Sequence, residues 1–413
     1  MKRLHYAWAV CLGCALMLFV GGGLSVNAFS VTQPYVLAYG GFTNTQTSLI
    51  TTVRAVSYLL CMFASPLFFR KFGYRAGTAL ATAFSGISFV IYGCSRSLAG
   101  FYLGGAFGGL GYGFGSMIPA TILMTRWFRR QRGLAIGICS ASTGLAMVTF
   151  SPVLTSICET FGLQTCFFFE AVFSFLCAAL VFVLVRERPE DLSLAPYGAG
   201  CTCGHGAGAA SEKTAPAASG AAAPLLRRGE QLWLFLAAVL MGAIASPGPT
   251  HLMILYTTAG IQAHAAALAV SLFGAMLMLG KCVYGAACDR FGGYRMDWLF
   301  GAVLFLGLGF CAMADTGGAA LMFAGTALYG AGVSLSTVGL SIWAGDFGGE
   351  EQAAQLVQRF QLCYGIGGLG LSTMPGMFAD WTGSYAPAYL VLLGCAVVSV
   401  LIVQATYLKL KKR

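Results

Sequence analysis

The stretch "LGKCVYGAACDRFGGYR" (Leu279–Arg295) leads from an apolar run into a charged loop that contains glycines. Asp289, Arg290 and Arg295 lie where the apolar run ends, as charges at the end of a membrane-spanning helix do. Lys281 instead lies two turns back, inside the run. Because a charge inside a membrane helix costs about 2.5–3.5 kcal/mol on insertion scales, its presence indicates a functional site.

Apolar runs of this kind extend over the whole chain of 413 residues, which is 58% hydrophobic and 9% charged. A soluble domain has about 25% charged residues. Twelve runs are long enough to cross a hydrocarbon core of about 30 Å, and the sequence therefore predicts an all-α membrane protein with twelve transmembrane helices. The predicted spans are roughly 6–36, 47–69, 75–95, 98–125, 134–157, 165–186, 231–257, 263–288, 296–314, 318–345, 354–378 and 383–407.

The twelve runs form two sets of six, separated by a segment rich in Gly, Ala, Ser and Pro. We predict a six-helix bundle over residues 1–190, a cytoplasmic linker over 191–229 and a second six-helix bundle over 230–413. A short repeat supports two related halves, since "FFRKFGYR" (Phe68–Arg75) and "ACDRFGGYR" (Ala287–Arg295) occupy the same place in each half. The predicted architecture is two pseudo-symmetric bundles.

The net charge of +10 reflects topology and does not indicate a nucleic-acid partner. Most of the 24 Lys and Arg lie in the tails and in alternate loops, whereas the opposite loops hold Arg96 alone. This asymmetry predicts that both termini lie in the cytoplasm. The protein is expected in an inner or plasma membrane. The apolar run after Met1 has no small-residue cleavage site, so it is predicted to be an uncleaved first span.

Several motif types that would indicate chemistry are weak or missing in the sequence. It shows no Ser-His-Asp or Cys-His set, no paired catalytic carboxylates and no nucleotide-binding loop, so we predict no enzyme activity and no cofactor. The glycine run Tyr102–Met117 is predicted to pack helices closely. "CTCGH" (Cys201, Cys203 and His205) matches no zinc spacing, and no metal site is predicted.

The loop quoted first resembles the signature of the major facilitator superfamily, Gly-x-x-x-Asp-Arg-x-Gly followed by basic residues. In the first half the same motif is degraded, because Pro66 and Arg70 replace its first Gly and its Asp. The resemblance implies two six-helix bundles that alternate in exposing a central site. It also implies that the loop gates the cytoplasmic face, through Gly285, Asp289, Arg290, Gly292 and Arg295.

Three other stretches resemble the oxalate/formate antiporter and monocarboxylate transporter branch of that superfamily. They are "HYAWAV" at the first span, "RWFRRQRGLAIGICSASTGLA" (Arg126–Ala146) and "VRERPEDLSLAPYG" (Val185–Gly198). Lys281 occupies the position at which this branch has an arginine in the eighth span. The resemblance therefore implies a small organic anion as substrate: a monocarboxylate such as formate, lactate or pyruvate, or oxalate.

Two departures from the branch leave the substrate and the coupling open. The eleventh span, "RFQLCYGIGGLGLS", has glycines where oxalate/formate exchangers carry a lysine, which puts dicarboxylate specificity in doubt. Leu277 stands where proton-coupled monocarboxylate carriers have an aspartate. Antiport and proton symport therefore both remain open.

A second interior cation, Arg54, lies in "TTVRAVSYLL", about two turns inside the outer end of the second span. We place no acid at comparable depth, since Glu170 is predicted to lie near an outer end. An anionic substrate is then the natural counter-ion of Lys281 and Arg54. The structural alternatives are that Lys281 extends to the interface and that Arg54 forms an ion pair.

Four polar residues are secondary candidates for substrate binding: Asn27, His251, Gln361 and Tyr364. Asn27 follows three glycines, and His251 follows "SPGPT", whose prolines are predicted to break the seventh span and free backbone groups to line a cavity. For Asn27 the alternative is a hydrogen bond between helices, for His251 an exposed position, and for Tyr364 ordinary packing.

Together these features predict a secondary active transporter of an organic anion that works by alternating access, as antiporter or proton symporter. The expected partners are the anion and the lipid bilayer, and whether protons are also bound is left open. We expect no nucleic-acid partner, and we expect the protein to function as a monomer. The rival hypotheses are a multidrug exporter of the same fold, a non-transporting membrane sensor or receptor, and a membrane-embedded enzyme.

Overall fold

The computed structural model describes residues 5–129, 131–198, 228–316 and 318–411, with side chains at all of these except 132–134, 228, 289, 349–355 and 358. Cys201, Cys203, His205 and most of the predicted linker lie outside the described residues.

The described chain is built almost entirely from helices. In order they are α1 (Ala7–Leu18), α2 (Phe29–Gly40), α3 (Asn44–Cys94), α4 (Leu98–Phe114), α5 (Met117–Trp127), α6 (Arg132–Phe161), α7 (Leu163–Leu184), α8 (Arg228–Ala245), α9 (Pro247–Thr250), α10 (Leu252–Thr258), α11 (Ala263–Phe291), α12 (Gly293–Ala312), α13 (Ala319–Gly332), α14 (Ser334–Gly370), α15 (Met374–Thr382) and α16 (Ala386–Lys411).

Helices occupy all twelve predicted spans. In the described part of the chain, nine stretches are long and apolar enough to cross a membrane by length and composition. One of them, α3, has 51 residues and contains two predicted spans. The fourth predicted span is divided between α4 and α5, and the eleventh between α14 and α15. The all-α prediction with twelve membrane helices is confirmed.

The short sequence repeat corresponds to a repeated turn. Gly73 has φ 71° inside α3, and Gly292 has φ 84° between α11 and α12. This left-handed region favours glycine, because a Cβ would be strained there. Both glycines follow the repeated Phe, at the change from one predicted span to the next. The turn geometry thus explains why the repeat keeps its glycine.

One predicted loop is helical in the structure. Residues 346–353, expected to connect the tenth and eleventh spans, lie inside the continuous helix α14. The sequence contains no proline between Ser334 and Gly370, so no residue there interrupts the backbone hydrogen bonds of a helix.

The prolines of "SPGPT" break the seventh span as predicted, between α8 and α10. Two carbonyls at this break accept hydrogen bonds from buried tyrosines, and the lining of a cavity by the freed groups stays a prediction. The Tyr329 hydroxyl donates to the Ile244 carbonyl at 2.6 Å, and the Tyr389 hydroxyl donates to the Gly248 carbonyl at 2.7 Å. Buried carbonyls that leave a helix ladder need such donors.

The chain forms two compact units. The first contains the described parts of Met1–Phe29, Val53–Met147 and Ile157–Pro216, and the second those of Ser30–Thr52, Val148–Ser156 and Ala217–Arg413. In the second unit α8 packs against α14 and α16, and α12 packs against α13. The segment Ser30–Thr52, from the first two spans, thus packs with the helices that follow the linker.

Three stretches that carried the finer family resemblance meet in one aromatic cluster of the first unit. Trp8 lies 5.2 Å from Phe128 between ring centroids. The Tyr197 amide donates to the Trp127 carbonyl at 2.8 Å, and the Trp127 indole donates to the Arg186 carbonyl at 2.9 Å. "HYAWAV", "RWF" and "VRERPEDLSLAPYG" therefore share a structural role in joining α1, α5 and the end of α7.

The glycine run of α4 packs closely against α3, as predicted. A Cβ added at Gly109 would lie 2.4 Å from the Arg54 carbonyl oxygen and 2.5 Å from the Ser57 Cβ. Only glycine fits at such a distance, so this residue sets how closely α4 approaches the backbone that carries Arg54.

Candidate functional site

Arg54 is a buried cation of the first unit. It lies on α3, is 4% exposed, and donates from Nη1 to the Ser25 carbonyl at 2.5 Å. Its guanidinium carbon lies 5.0 Å from the centroid of the Phe29 ring, in a cation–π contact. Among the side chains that the structure describes, no carboxylate pairs with Arg54. The buried positive charge thus has a carbonyl and a ring as partners.

The carbonyl that Arg54 contacts belongs to a π-helical segment, Phe19–Ala28, between α1 and α2. Such wide turns are rare and frequently occur at functional sites. Glycines allow α6 to come close here, because a Cβ at Gly23 would lie 2.3 Å from the Ala146 Cβ. Asn27 is part of the same segment and is partly exposed. The structure therefore brings the segment of Asn27 to Arg54.

Lys281 is the corresponding interior cation of the second unit. It lies on α11 and is partly exposed, and no described carboxylate pairs with its ammonium. The preceding Gly280 holds this part of α11 against the next helices, since a Cβ there would lie 2.8 Å from the Ala331 carbonyl oxygen. Gln361 and Tyr364 lie on α14, which packs against α11, and both are partly exposed.

His251 is not an exposed histidine. It is fully buried, its Nε2 lies 2.9 Å from the Ser48 hydroxyl, and its Nδ1 lies 2.8 Å from the Pro247 carbonyl. Because a carbonyl only accepts, Nδ1 carries the proton, and in the neutral ring Nε2 accepts from Ser48. Both ring nitrogens are thereby engaged in bonds within the second unit, which favours a structural role for His251.

The Ser48–His251 bond is one of a group of contacts that we call the α3 latch, formed by Asn44, Thr45, Ser48, His251 and Asp380. The Asp380 carboxylate accepts from the backbone amides of Asn44 at 3.0 Å and Thr45 at 2.9 Å, and from the Asn44 side chain at 2.9 Å. It thus caps the N-terminus of α3, where a negative charge is stabilised. The latch fixes the start of α3 to α15 and to the α9–α10 region.

Asp380 lies beyond the predicted end of the eleventh span, and its pKa is shifted. Partial burial acts to raise this pKa, but the hydrogen bonds from Thr45 and Asn44 outweigh burial, so the pKa of Asp380 lies below its ordinary value. Hydrogen bonds to the charged form stabilise it.

The residues predicted to gate the cytoplasmic face lie at the end of α11 and the start of α12. Arg290 and Arg295 are exposed, and the Arg290 guanidinium lies 5.3 Å from the Phe291 ring centroid. Gly292 makes the turn, whereas a Cβ at Gly285 would meet open space. The side chain of Asp289 lies outside the described part of the chain. The gating role of these residues stays a prediction.

The burial of two acids, Asp297 and Glu170, was not predicted from the sequence. Asp297 is 1% exposed and accepts from the Tyr284 hydroxyl at 2.5 Å and from the Trp343 indole at 2.7 Å, joining α11, α12 and α14. Asp297 was not among the predicted site residues, because it lies just after a charged loop. Glu170, predicted to lie near an outer end of its span, is also 1% exposed, and this burial was not apparent from the sequence.

The sequence of this chain matches the Major Facilitator Superfamily over residues 13–368. It is 23% identical over 315 residues to the Membrane sensor protein UhpC of Salmonella typhimurium, covering 74% of this chain and 70% of that one. It is also 23% identical over 150 residues to Monocarboxylate transporter 14 of Mus musculus, covering 35% of this chain and 29% of that one.

A solved structure supports the fold across nearly the whole chain. The crystal structure of a D-xylose-proton symporter superposes with a TM-score of 0.74 at 12% identity, covering 96% of this chain and 97% of that one. At this identity the likeness concerns the fold, and the family match covers most of the sequence. With its twelve membrane helices in two repeated halves, the chain belongs to the Major Facilitator Superfamily.

Proposed function

We propose that this protein is a secondary active transporter of a small organic anion, most readily a monocarboxylate, and that Arg54 and Lys281 each contribute positive charge to its recognition. The proposal rests on one observation, which is the burial of Arg54 without a described carboxylate partner. It is 4% exposed and bonded to one carbonyl, and no described carboxylate neutralises it. A buried cation without a counter-ion is costly, and a bound anion removes that cost.

The chemistry of the two cations fits a carboxylate. A guanidinium has five N–H donors in a planar fork, of which one is held by Ser25, and a fork of this kind binds carboxylates through two bonds. Lys281 supplies a compact charge on a flexible stem. Asn27, Gln361 and Tyr364 are proposed as neutral donors to the same anion. The predicted division at 190 and 230 and the cytoplasmic position of both termini belong to this proposal.

A second candidate is a sensor that binds the anion without transporting it, since one relative is named a membrane sensor protein. The two functions share a binding site and differ in translocation. An experiment that measures both binding and uptake therefore separates them.

The test is uptake of labelled formate, lactate, pyruvate, acetate, oxalate and a sugar phosphate into proteoliposomes, with calorimetric binding of the same anions in detergent. We expect uptake of at least one monocarboxylate and a loss of tenfold or more in Arg54→Met and Lys281→Met. The matched controls are Arg96→Met and Lys411→Met, which remove exposed basic residues. Binding without uptake would identify a sensor. Unchanged uptake in both interior variants would overturn the proposed site.

A further inference from the structure

A basic cavity lies where two membrane-spanning helices of the first unit end, and the proposed anion site does not use it. Its volume is about 310 Å³, within the range of about 300–1,000 Å³ that ligand pockets cover. The residues that line it come from the end of α5 and from the segment that follows α7; they are Arg126, Arg129, Arg188, Pro189, Glu190 and Pro196. Three arginines and one glutamate give the cavity a net positive charge.

Backbone hydrogen bonds hold two of these arginines in place. The segment after α5 pairs with Tyr197, since the Arg129 amide donates to the Tyr197 carbonyl at 3.0 Å and the Tyr197 amide donates to the Trp127 carbonyl at 2.8 Å. The Arg188 amide donates to the Asp191 carboxylate at 3.1 Å, in the turn that follows α7. The charges are thus carried on an ordered backbone, which reduces the entropy cost of binding a ligand between them.

The third arginine, Arg126, is held by an aromatic ring. Its guanidinium carbon lies 4.7 Å from the centroid of the Tyr74 ring, in a cation–π contact that leaves the N–H edge of the group able to donate. The Tyr74 amide in turn donates to the Glu187 carboxylate at 2.7 Å. Glu187 and Asp191 therefore both accept from backbone amides, although they lie close to Arg188 in the sequence.

Arginines next to the cavity already have protein acceptors. Arg186 donates from Nη1 to the Val183 carbonyl at 2.9 Å, and Arg75 donates from Nε to the Phe182 carbonyl at 3.0 Å. By contrast, no carboxylate in the described part of the chain forms an ion pair with any of the three cavity arginines. Their donors suit phosphate oxygens, because guanidinium groups bind phosphate through paired N–H bonds.

The position of the cavity favours a phospholipid as the source of that phosphate. On α7, the exposed side chains Leu176, Leu180 and Val183 recur at the spacing of one helix face, and such an apolar face suits acyl chains. Val183 precedes Arg188 by five residues. A molecule with a phosphate at the helix end and acyl chains beside the helix satisfies both features, whereas a soluble phosphate satisfies only one.

We propose that this cavity binds the headgroup of an anionic phospholipid, with Arg126, Arg129 and Arg188 donating to its phosphate. Basic pockets between membrane helices recognise headgroups of this kind. Because the bound phosphate joins the end of α5 to the segment after α7, it stabilises the first unit against unfolding. This site is separate from Arg54 and Lys281, so it does not depend on the proposed transport function.

The first test measures phospholipid binding to the delipidated protein in detergent, by native mass spectrometry and thermal unfolding. Phosphatidylglycerol should raise the unfolding temperature and bind at least about tenfold more tightly than zwitterionic phosphatidylcholine. The variant Arg126→Gln/Arg129→Gln/Arg188→Gln should lose this preference. The control Arg96→Gln/Lys409→Gln/Lys411→Gln, which removes the same charge from exposed positions elsewhere, should keep it. An equal preference for phosphatidylglycerol in the two triple variants would overturn the proposal.

The second test needs no variant and therefore does not depend on whether one folds. Wild type is irradiated with phosphatidylglycerol that carries a photoreactive group on its headgroup, and the cross-linked peptides are identified by mass spectrometry. We expect cross-links within residues 126–129 and 186–197, suppressed by unlabelled phosphatidylglycerol. Cross-links confined to other segments would overturn the proposal. Suppression by inorganic phosphate at the same concentration would assign the cavity to a soluble phosphate and overturn the lipid assignment.

Discussion

The Nη1 atom of Arg54 donates a hydrogen bond of 2.5 Å to the carbonyl of Ser25, a residue of the π-helical segment Phe19–Ala28. This bond couples the position of the buried charge to the conformation of the first span. A change in the π-helical segment would therefore move the guanidinium, and an anion bound to Arg54 would in turn bias the segment. If Arg54 binds an anion as proposed, binding and helix conformation are expected to be linked within the first unit.

The planar donor fork of Arg54 is expected to matter beyond its charge. Arg54→Lys keeps a cation on α3 but cannot donate to Ser25 and to both oxygens of a carboxylate in the same geometry. We expect KM for the transported anion to rise about tenfold, which corresponds to the loss of about 1.4 kcal/mol of binding. Uptake kinetics in proteoliposomes measure this change. Arg96→Lys, at an exposed position, is the control, and an unchanged KM in Arg54→Lys would contradict the two-bond recognition.

The close packing of α4 on α3 should be sensitive to a single methyl group. In Gly109→Ala the new Cβ would lie 2.4 Å from the Arg54 carbonyl oxygen, so α3 has to shift at the residue that carries the guanidinium. Overpacking of this kind costs typically 1–3 kcal/mol. We expect a lower temperature of thermal unfolding in detergent and a loss of anion uptake that exceeds the loss of folded protein.

The matched control for this change is Gly309→Ala on α12, where a Cβ has no neighbour within 4 Å. Because alanine favours helix more than glycine by about 1 kcal/mol, this control should unfold at the same temperature or a higher one. Equal behaviour of the two variants would mean that α4 does not need glycine at position 109.

The bond between Ser48 and His251 should contribute to stability because both groups are buried. Ser48→Ala leaves the His251 Nε2 without its hydroxyl donor at 2.9 Å, and an unsatisfied buried polar atom costs about 1–3 kcal/mol. We expect a lower thermal unfolding temperature in Ser48→Ala, and recovery in Ser48→Thr, which restores a hydroxyl. Ser156→Ala, at an exposed position on α6, controls for the loss of a serine. If Ser48→Ala unfolds at the wild-type temperature, the bond does not stabilise the α3 latch.

The number and type of helices could be predicted because hydrophobic length and charge asymmetry determine them locally. The turn at Gly292 could also be predicted, because a motif of neighbouring residues encodes it. The π-helical segment Phe19–Ala28 was hidden, because only its three glycines mark it and they also suit ordinary close packing. Burial of Glu170 and of His251 depends on which helices surround them. That information lies in tertiary packing, so a position along the sequence could not supply it.

The α3 latch should weaken in acid, because Asp380 holds the start of α3 as a charged acceptor. The pKa of Asp380 lies below its ordinary value of about 3.9, since the hydrogen bonds from Thr45 and Asn44 outweigh partial burial. A lowered pKa means that the stabilisation is fully present above about pH 4–5 and is lost as the pH falls through the pKa of the folded protein. We therefore expect the thermal unfolding temperature of wild type to decrease as the pH falls below about pH 4–5.

The variant Asp380→Asn separates this effect from general acid denaturation. At pH 7 its amide cannot accept from all the donors that the carboxylate binds, so it should unfold at a lower temperature than wild type. The difference between the two proteins should narrow as the pH falls, because the wild-type carboxylate becomes protonated and loses the same charge. Glu159→Gln, which also removes one negative charge but on α6 and outside this group of contacts, should follow the wild-type curve. A gap between Asp380→Asn and wild type that stays constant even after the wild-type carboxyl has become protonated would show that the Asp380 charge does not hold the latch, because loss of that charge would then not destabilise the wild type.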